Sequence, residues 1–125
     1  MRKLAALMLS ALSLAFVGTA LAGDGGNVPA IPRVAGQWSH VEINLKIRRV
    51  PHTVILDRGR IVQAAPTQIT VRESDNSMVV VPLSAQTLVV IDGLPATPGD
   101  LRRKMSVVTM RIDGGAAVRV RATSF

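Results

Sequence analysis

Val41, Ile43, Leu45 and Ile47 alternate with Glu42, Asn44, Lys46 and Arg48. A strict period of two sends the apolar side chains to one face of an extended chain and the polar ones to the other. The stretch therefore predicts a half-buried β-strand. The same preference runs on. From residue 23 onward there are 16 Val and 8 Ile against 6 Leu. β-Branched side chains lose little on a pleated surface and more in a helix. Hydrophobic residues at 48% and charged residues at 18% exclude a disordered chain. At 125 residues the chain is one domain.

Turn chemistry divides the β pattern. Pro51 is expected to end or bend the first strand. Thr53 to Leu56 and Arg60 to Ala64 flank Asp57-Arg58-Gly59, which reads as a hairpin turn with Gly at positive φ. Gln68 to Arg72, Met78 to Leu83 and Thr87 to Ile91 follow as strands, with a turn at Asp92-Gly93. Pro95 to Lys104 breaks the pattern, and Thr97 or Asp100 can cap one helical turn near 98–104. Ser106 to Ile112 and Ala116 to Thr123 close the chain as a hairpin around Asp113-Gly114-Gly115. A three-residue loop there sets Met110 opposite Val118 and Val108 opposite Val120. It leaves Thr109 and Arg119 on the solvent face. In that register Val108→Asp is far more damaging than Thr109→Asp. The expected fold is all-β: a small closed or partly open antiparallel barrel of the SH3 or OB kind, with about six to seven short strands. Trp38 is expected to plug one end of it, with an exposed partner anchor as the alternative.

The N-terminus reads as a targeting segment. Arg2 and Lys3 precede an uncharged apolar run from Leu4 to Val17, and Ala20-Leu21-Ala22 ends it with small residues where a signal peptidase reads. Residues 1–22 are therefore expected to be a cleaved signal peptide recognised at Ala20 and Ala22, with the membrane met only through that segment before cleavage. Residues 23–37 are expected to be a flexible leader and 38–125 the single β-barrel domain. The exported form would carry a net charge of +5 and work in the periplasm or outside the cell.

The order of short motifs resembles a known family. Gly59-Arg60-Ile61, Ile69-Thr70-Val71, Val79-Val80-Val81, Thr87-Leu88-Val89-Val90, Asp92-Gly93, Asp100-Leu101, Val107-Val108 and Val120-Arg121-Ala122 together resemble the bacterial domain-of-unknown-function 5666 family over residues 59–125. The resemblance implies an exported small barrel in the cell envelope and brings no catalytic residues. One departure is local. Arg102-Arg103-Lys104 stands where the family has a Gly turn, so the loop there is basic.

Enzyme constellations are absent. With no Cys there is no disulfide scaffold, thiolate metal site or cysteine nucleophile. Ser39 and His40 are neighbours on an extended chain and point apart. No phosphate-cradling Gly loop precedes a helix. Asp57, Asp92 and Asp113 each lie at or next to a Gly turn and are read as turn residues. His40, His52, Met78, Met105 and Met110 include ligands suited to Cu(I), but their spacing matches no ligand motif. The chain is thus expected to be no enzyme, with no catalytic residue, metal or cofactor. The expected function is that of a non-enzymatic exported module, binding or structural, in contact with an envelope polymer or another envelope protein. The alternative is a polyanion-binding protein, for which Arg102, Arg103, Lys104, Arg119 and Arg121 are the candidate residues. Lys46, Arg48 and Arg49 form a second basic cluster. Trp38 and Phe125 are the aromatics after residue 22, too few for a stacking platform, and sequence-specific nucleic-acid recognition is not expected.

Overall fold

Eight strands make up the chain from His40 onward: β1 His40–Ile47, β2 Val50–Ala65, β3 Gln68–Glu73, β4 Met78–Pro82, β5 Leu88–Ile91, β6 Leu94–Ala96, β7 Ser106–Ile112 and β8 Ala117–Thr123. The computed structural model describes residues 28–125. The expected signal segment and its cleavage site at Ala20 and Ala22 lie outside the described residues, as do Gly23 to Asn27 of the leader. A 3₁₀ turn at Pro98–Asp100 is the one helical element among the described residues. It forms as its sequence predicts. Asp100 accepts hydrogen bonds from the Thr97 N–H and hydroxyl, both at 2.9 Å.

The strands form one sheet in the order β4-β3-β2-β7-β8-β5-β6, with β1 also on β2. The sheet is mixed and not closed. The antiparallel expectation fails at one place: β5 runs parallel to β8, Val89 beside Val120. The cause is the crossover from β4, which returns the chain to the far edge of the sheet. Leu94–Ala96 pairs with β5 around the Asp92-Gly93 turn, so the β pattern expected to break at Pro95 runs on to Ala96.

β2 organises the fold and corrects the largest sequence expectation. Asp57-Arg58-Gly59 is not a turn. It lies inside a continuous strand of 16 residues. Residues 50–57 of β2 pair with β1, residues 59–65 with β3, and residues 54–60 with β7. Gly59 is there for close approach. A Cβ at that position would lie 2.1 Å from the Arg72 carbonyl oxygen. The turn expected at Asp57 instead falls at Arg48-Arg49, both with positive φ, and Ile47 faces Val50 across a two-residue loop. Pro51 continues the strand opposite Lys46. It is tolerated because β7 takes up β2 only from Val54 onward.

The two faces of β2 serve two apolar clusters. The inner face carries Ile61, which packs with Ile69, Val71, Val81, Leu101, Val107 and Val120 in the main core. The outer face carries Val54 and Leu56, which pack with Met110 in a second cluster. Val28, Ile31, Val34 and Trp38 cover that cluster, together with the apolar face of β1. So residues 28–37, expected as flexible leader, form a packed strap. Trp38 sits in the second cluster and not at the end of the main core. Its indole N–H donates to Val34 O at 3.1 Å, and the Arg58 guanidinium lies 4.5 Å above its ring.

The last hairpin begins in the expected register, Arg111 opposite Ala117. A bulge at Val118 then shifts it. Met110 faces Arg119, Thr109 faces Val120 and Val108 faces Arg121. Residues Val107 to Met110 are buried on both faces, because the main core lies on one side and the strap on the other. Thr109 is therefore fully buried, not on a solvent face.

Candidate functional site

Two places in the fold concentrate polar chemistry. The first is the part of the outer face that the strap does not cover. The alternation of β2, β3 and β8 puts Arg60, Arg72 and Arg121 there, with Arg58 at the border, where its Nε donates to Trp38 O at 2.9 Å. Arg60 stands directly opposite Arg72. Val108 lies between Arg58 and Arg121 in the same cross-strand row. Like charges directly opposite each other in a sheet cost about 0.2–1 kcal/mol. Arg60, Arg72, Arg103, Lys104 and Arg121 make no ion pair among the described residues. The carboxylates are occupied elsewhere: Asp75 by Ser77, Asp92 by Ser124, Asp100 by Thr97, and Asp113 by His52 and the Thr53 N–H.

The five basic residues named from the sequence divide. Lys104 meets this face: its carbonyl accepts from Arg60 Nη1 at 2.9 Å, and its N–H donates to Ile61 O at 2.8 Å. Arg121 is exposed on the same face two strands from Arg58. Arg103 is exposed in the loop. Arg102 turns back onto its own loop, donating to Gly99 O and Leu101 O. Arg119 is committed to the strap, donating to Pro29 O at 2.7 Å and Val28 O at 2.9 Å. Arg58, Arg60 and Arg72 are not among the candidates named from the sequence. The turn assigned to Asp57-Arg58-Gly59 hid the alternation that puts Arg58 and Arg60 on one face.

The second place is a polar cluster at the margin of the main core. Asp57 is 1% exposed and Glu73 6% exposed. Asp57 Oδ1 accepts from His40 Nδ1 at 2.7 Å, and Arg111 Nη2 lies 3.6 Å from Oδ2. His40 Nε2 lies 3.0 Å from Glu42 Oε2, and Ser77 Oγ donates to Glu73 Oε1 at 3.1 Å. Burial, followed by the hydrogen bond and negative charge of Asp57, pushes the Glu73 carboxyl up to about 7. Burial also acts to raise Asp57. Hydrogen bonds from Glu73 and His40 outweigh it, with the charges of His40 and Arg111, and hold Asp57 below the usual carboxylate range. Hydrogen bonds to Asp57 and Glu42 raise His40. Thr109 Oγ1 and Arg111 Nε are buried here without a hydrogen-bond partner among the described residues. Sequence reasoning missed the cluster because it placed Asp57 in an exposed turn. Only the strict alternation of β1, which puts His40 and Glu42 on one face, pointed to it.

The other ligand candidates do not converge. Met78 is exposed, Met105 lies in the main core and Met110 in the second cluster. His52 pairs with Asp113 at 2.6 Å beside a shallow groove lined by Asn44, Lys46 and Pro51. Among the described residues no helix is long and apolar enough to cross a membrane. No family model, curated protein or solved structure matches the chain.

Proposed function

We propose that the protein is a non-enzymatic β module of the cell envelope that binds polyanions through the basic part of its outer face. In this reading the open sheet curls round the main core as a partly open barrel of the SH3 or OB kind, in keeping with the resemblance over residues 59–125. The observation that carries the binding role is Arg60 directly opposite Arg72 with neither in an ion pair among the described residues. The arrangement works against stability and suits a phosphate or carboxylate-rich polymer, to which Arg presents paired donors. Retention on heparin and on phosphocellulose should fall steeply with salt, since each neutralised anion releases counterions. Replacing Arg60, Arg72 and Arg121 by Ser should flatten that slope and leave the melting temperature unchanged or slightly higher. A wild-type slope in this variant would sink the proposal. The envelope location rests on the N-terminal segment. Sequencing of the exported protein should begin at Gly23, and a start at Met1 in the envelope fraction would mean a retained anchor.

A second reading, docking of another envelope protein, rests on Met78 and Val80, 56% and 50% exposed on the edge strand β4. An exposed strand edge offers unpaired backbone groups to a partner. Val80→Lys should abolish such a contact and leave heparin retention intact.

A further inference from the structure

The cluster at the margin of the main core has the composition of a cation site. His40, Asp57 and Glu73 each offer one ligand atom, and these atoms lie within 4.8 Å of one another. The three come from three strands that β2 holds in register: His40 on β1 is directly opposite Asp57, and Glu73 on β3 is opposite Gly59, two residues further along the same face.

Thr109 supplies an independent observation. It stands opposite Asp57 on β7. It is fully buried, and its hydroxyl has no partner among the described residues. A buried hydroxyl without a protein partner marks a place where a water or an ion sits beside it. Glu42 adds the outer support. It faces Nε2 of His40 at 3.0 Å, so Nε2 keeps its proton when an ion displaces the one that Nδ1 gives to Asp57. Metal-bound imidazoles are commonly fixed in this way by a carboxylate behind the ring.

We propose that His40 Nδ1 with one carboxylate oxygen each of Asp57 and Glu73 binds a first-row divalent cation of the zinc or manganese kind. One nitrogen and two oxygens suit such an ion. Three protein ligands are too few for calcium, which takes six to eight oxygens. Cu(I) prefers sulfur, and the methionines lie elsewhere. A tetrahedral ion with bonds of about 2.0–2.2 Å holds its ligands roughly 3.3–3.6 Å apart. His40 Nδ1 and Asp57 Oδ1 must therefore separate from 2.7 Å. The His40 side chain is 43% exposed and can make that adjustment, and its side of the cluster gives an ion a way in from solvent. Arg111 stays on Asp57 as an outer neighbour and offsets the second carboxylate's charge.

Titration calorimetry of the untagged, chelator-stripped protein with zinc chloride and with manganese chloride tests this. The expected result is saturation at one ion per chain, with a melting temperature that rises as the metal concentration rises. Glu73→Gln and His40→Ala should each weaken binding at least a hundredfold. Glu42→Gln, on an exposed side chain that cannot unfold the sheet, should weaken it about ten- to a hundredfold. His52→Ala should leave it unchanged. Absence of saturable one-to-one binding overturns the proposal. So does binding that survives His40→Ala and Glu42→Gln and disappears with His52→Ala, which would place the ion at the His52–Asp113 pair.

Discussion

Thr109 and Val108 are adjacent on β7 yet face opposite environments. Thr109 points toward Asp57 and Glu73, so a carboxylate placed there would be the third in a buried site. Val108 lies between Arg58 and Arg121, where a carboxylate would find cations. Thr109→Asp should therefore destabilise by several kcal/mol and Val108→Asp by clearly less, the reverse of the order expected from the sequence. Chemical denaturation of the two variants checks it. The titration of the cluster gives a second expectation, for the metal-free protein. Glu73 is raised from 4.5 to about 7 on folding, and His40 is raised from 6.5. A group raised on folding contributes stability that is complete below its unfolded value and lost as the pH climbs through its folded value. Stability should thus fall between about pH 4.5 and 7 as Glu73 ionises, and further above 6.5 as His40 loses its proton. Asp57 has the opposite sign. It is lowered from 3.8, so its contribution is lost as the pH falls below that value. Melting curves should show a maximum near pH 4–5, and Glu73→Gln should remove the decline between 4.5 and 7. An unchanged decline would mean that Glu73 is not the titrating group.

At the scale of elements, the β1–β2 hairpin carries local strain. A two-residue loop with positive φ at both positions suits Asn-Gly, because bulky L-residues crowd their own carbonyls there. Here the positions are Arg48 and Arg49, with φ of 53° and 69°. The register of β1 on β2 enforces the tight loop, since Val41, Ile43 and Leu45 must all face the strap and second cluster. Replacing Arg48-Arg49 by Asn-Gly should stabilise the protein by about 1–2 kcal/mol. It should leave binding at the outer face, on the other half of β2, unaltered. Thermal unfolding with heparin retention measures both. The same hairpin shows why sequence reading stumbled. Pro51 and Asp57-Arg58-Gly59 are standard turn and breaker signals, whereas Arg-Arg is none, so the signals pointed eight residues past the true turn. Tertiary context overrode them. β7 covers β2 from Val54 to Arg60 and holds it extended through Gly59.

For the whole molecule, residues 28–38 turn a half-exposed sheet into a doubly covered one. They are held by apolar contact and by Arg119, which donates to Val28 O and Pro29 O. Arg119→Ala should release the first residues of the strap. Proteolysis there should quicken while the main core melts within about 1–2 kcal/mol of wild type. Trp38→Ala, which empties the second cluster and removes the ring under Arg58, should cost about 3–5 kcal/mol. Equal protease sensitivity in wild type and Arg119→Ala would show that the strap is held by packing alone. The β class, the alternation of β1, the capped 3₁₀ turn and the Asp92-Gly93 turn were legible in the sequence, because each depends on residues close together in the chain. The parallel pairing of β5 with β8, the bulge at Val118, the unbroken course of β2 and the packing of the strap were not. Each depends on what lies on the other side of a strand, which is decided by segments tens of residues away. The meeting of His40, Asp57, Glu73 and Thr109 belongs with them. Four polar residues spread over 70 positions become one buried cluster only when β1, β3 and β7 are laid against a single long strand, which excludes the water that would otherwise keep them apart.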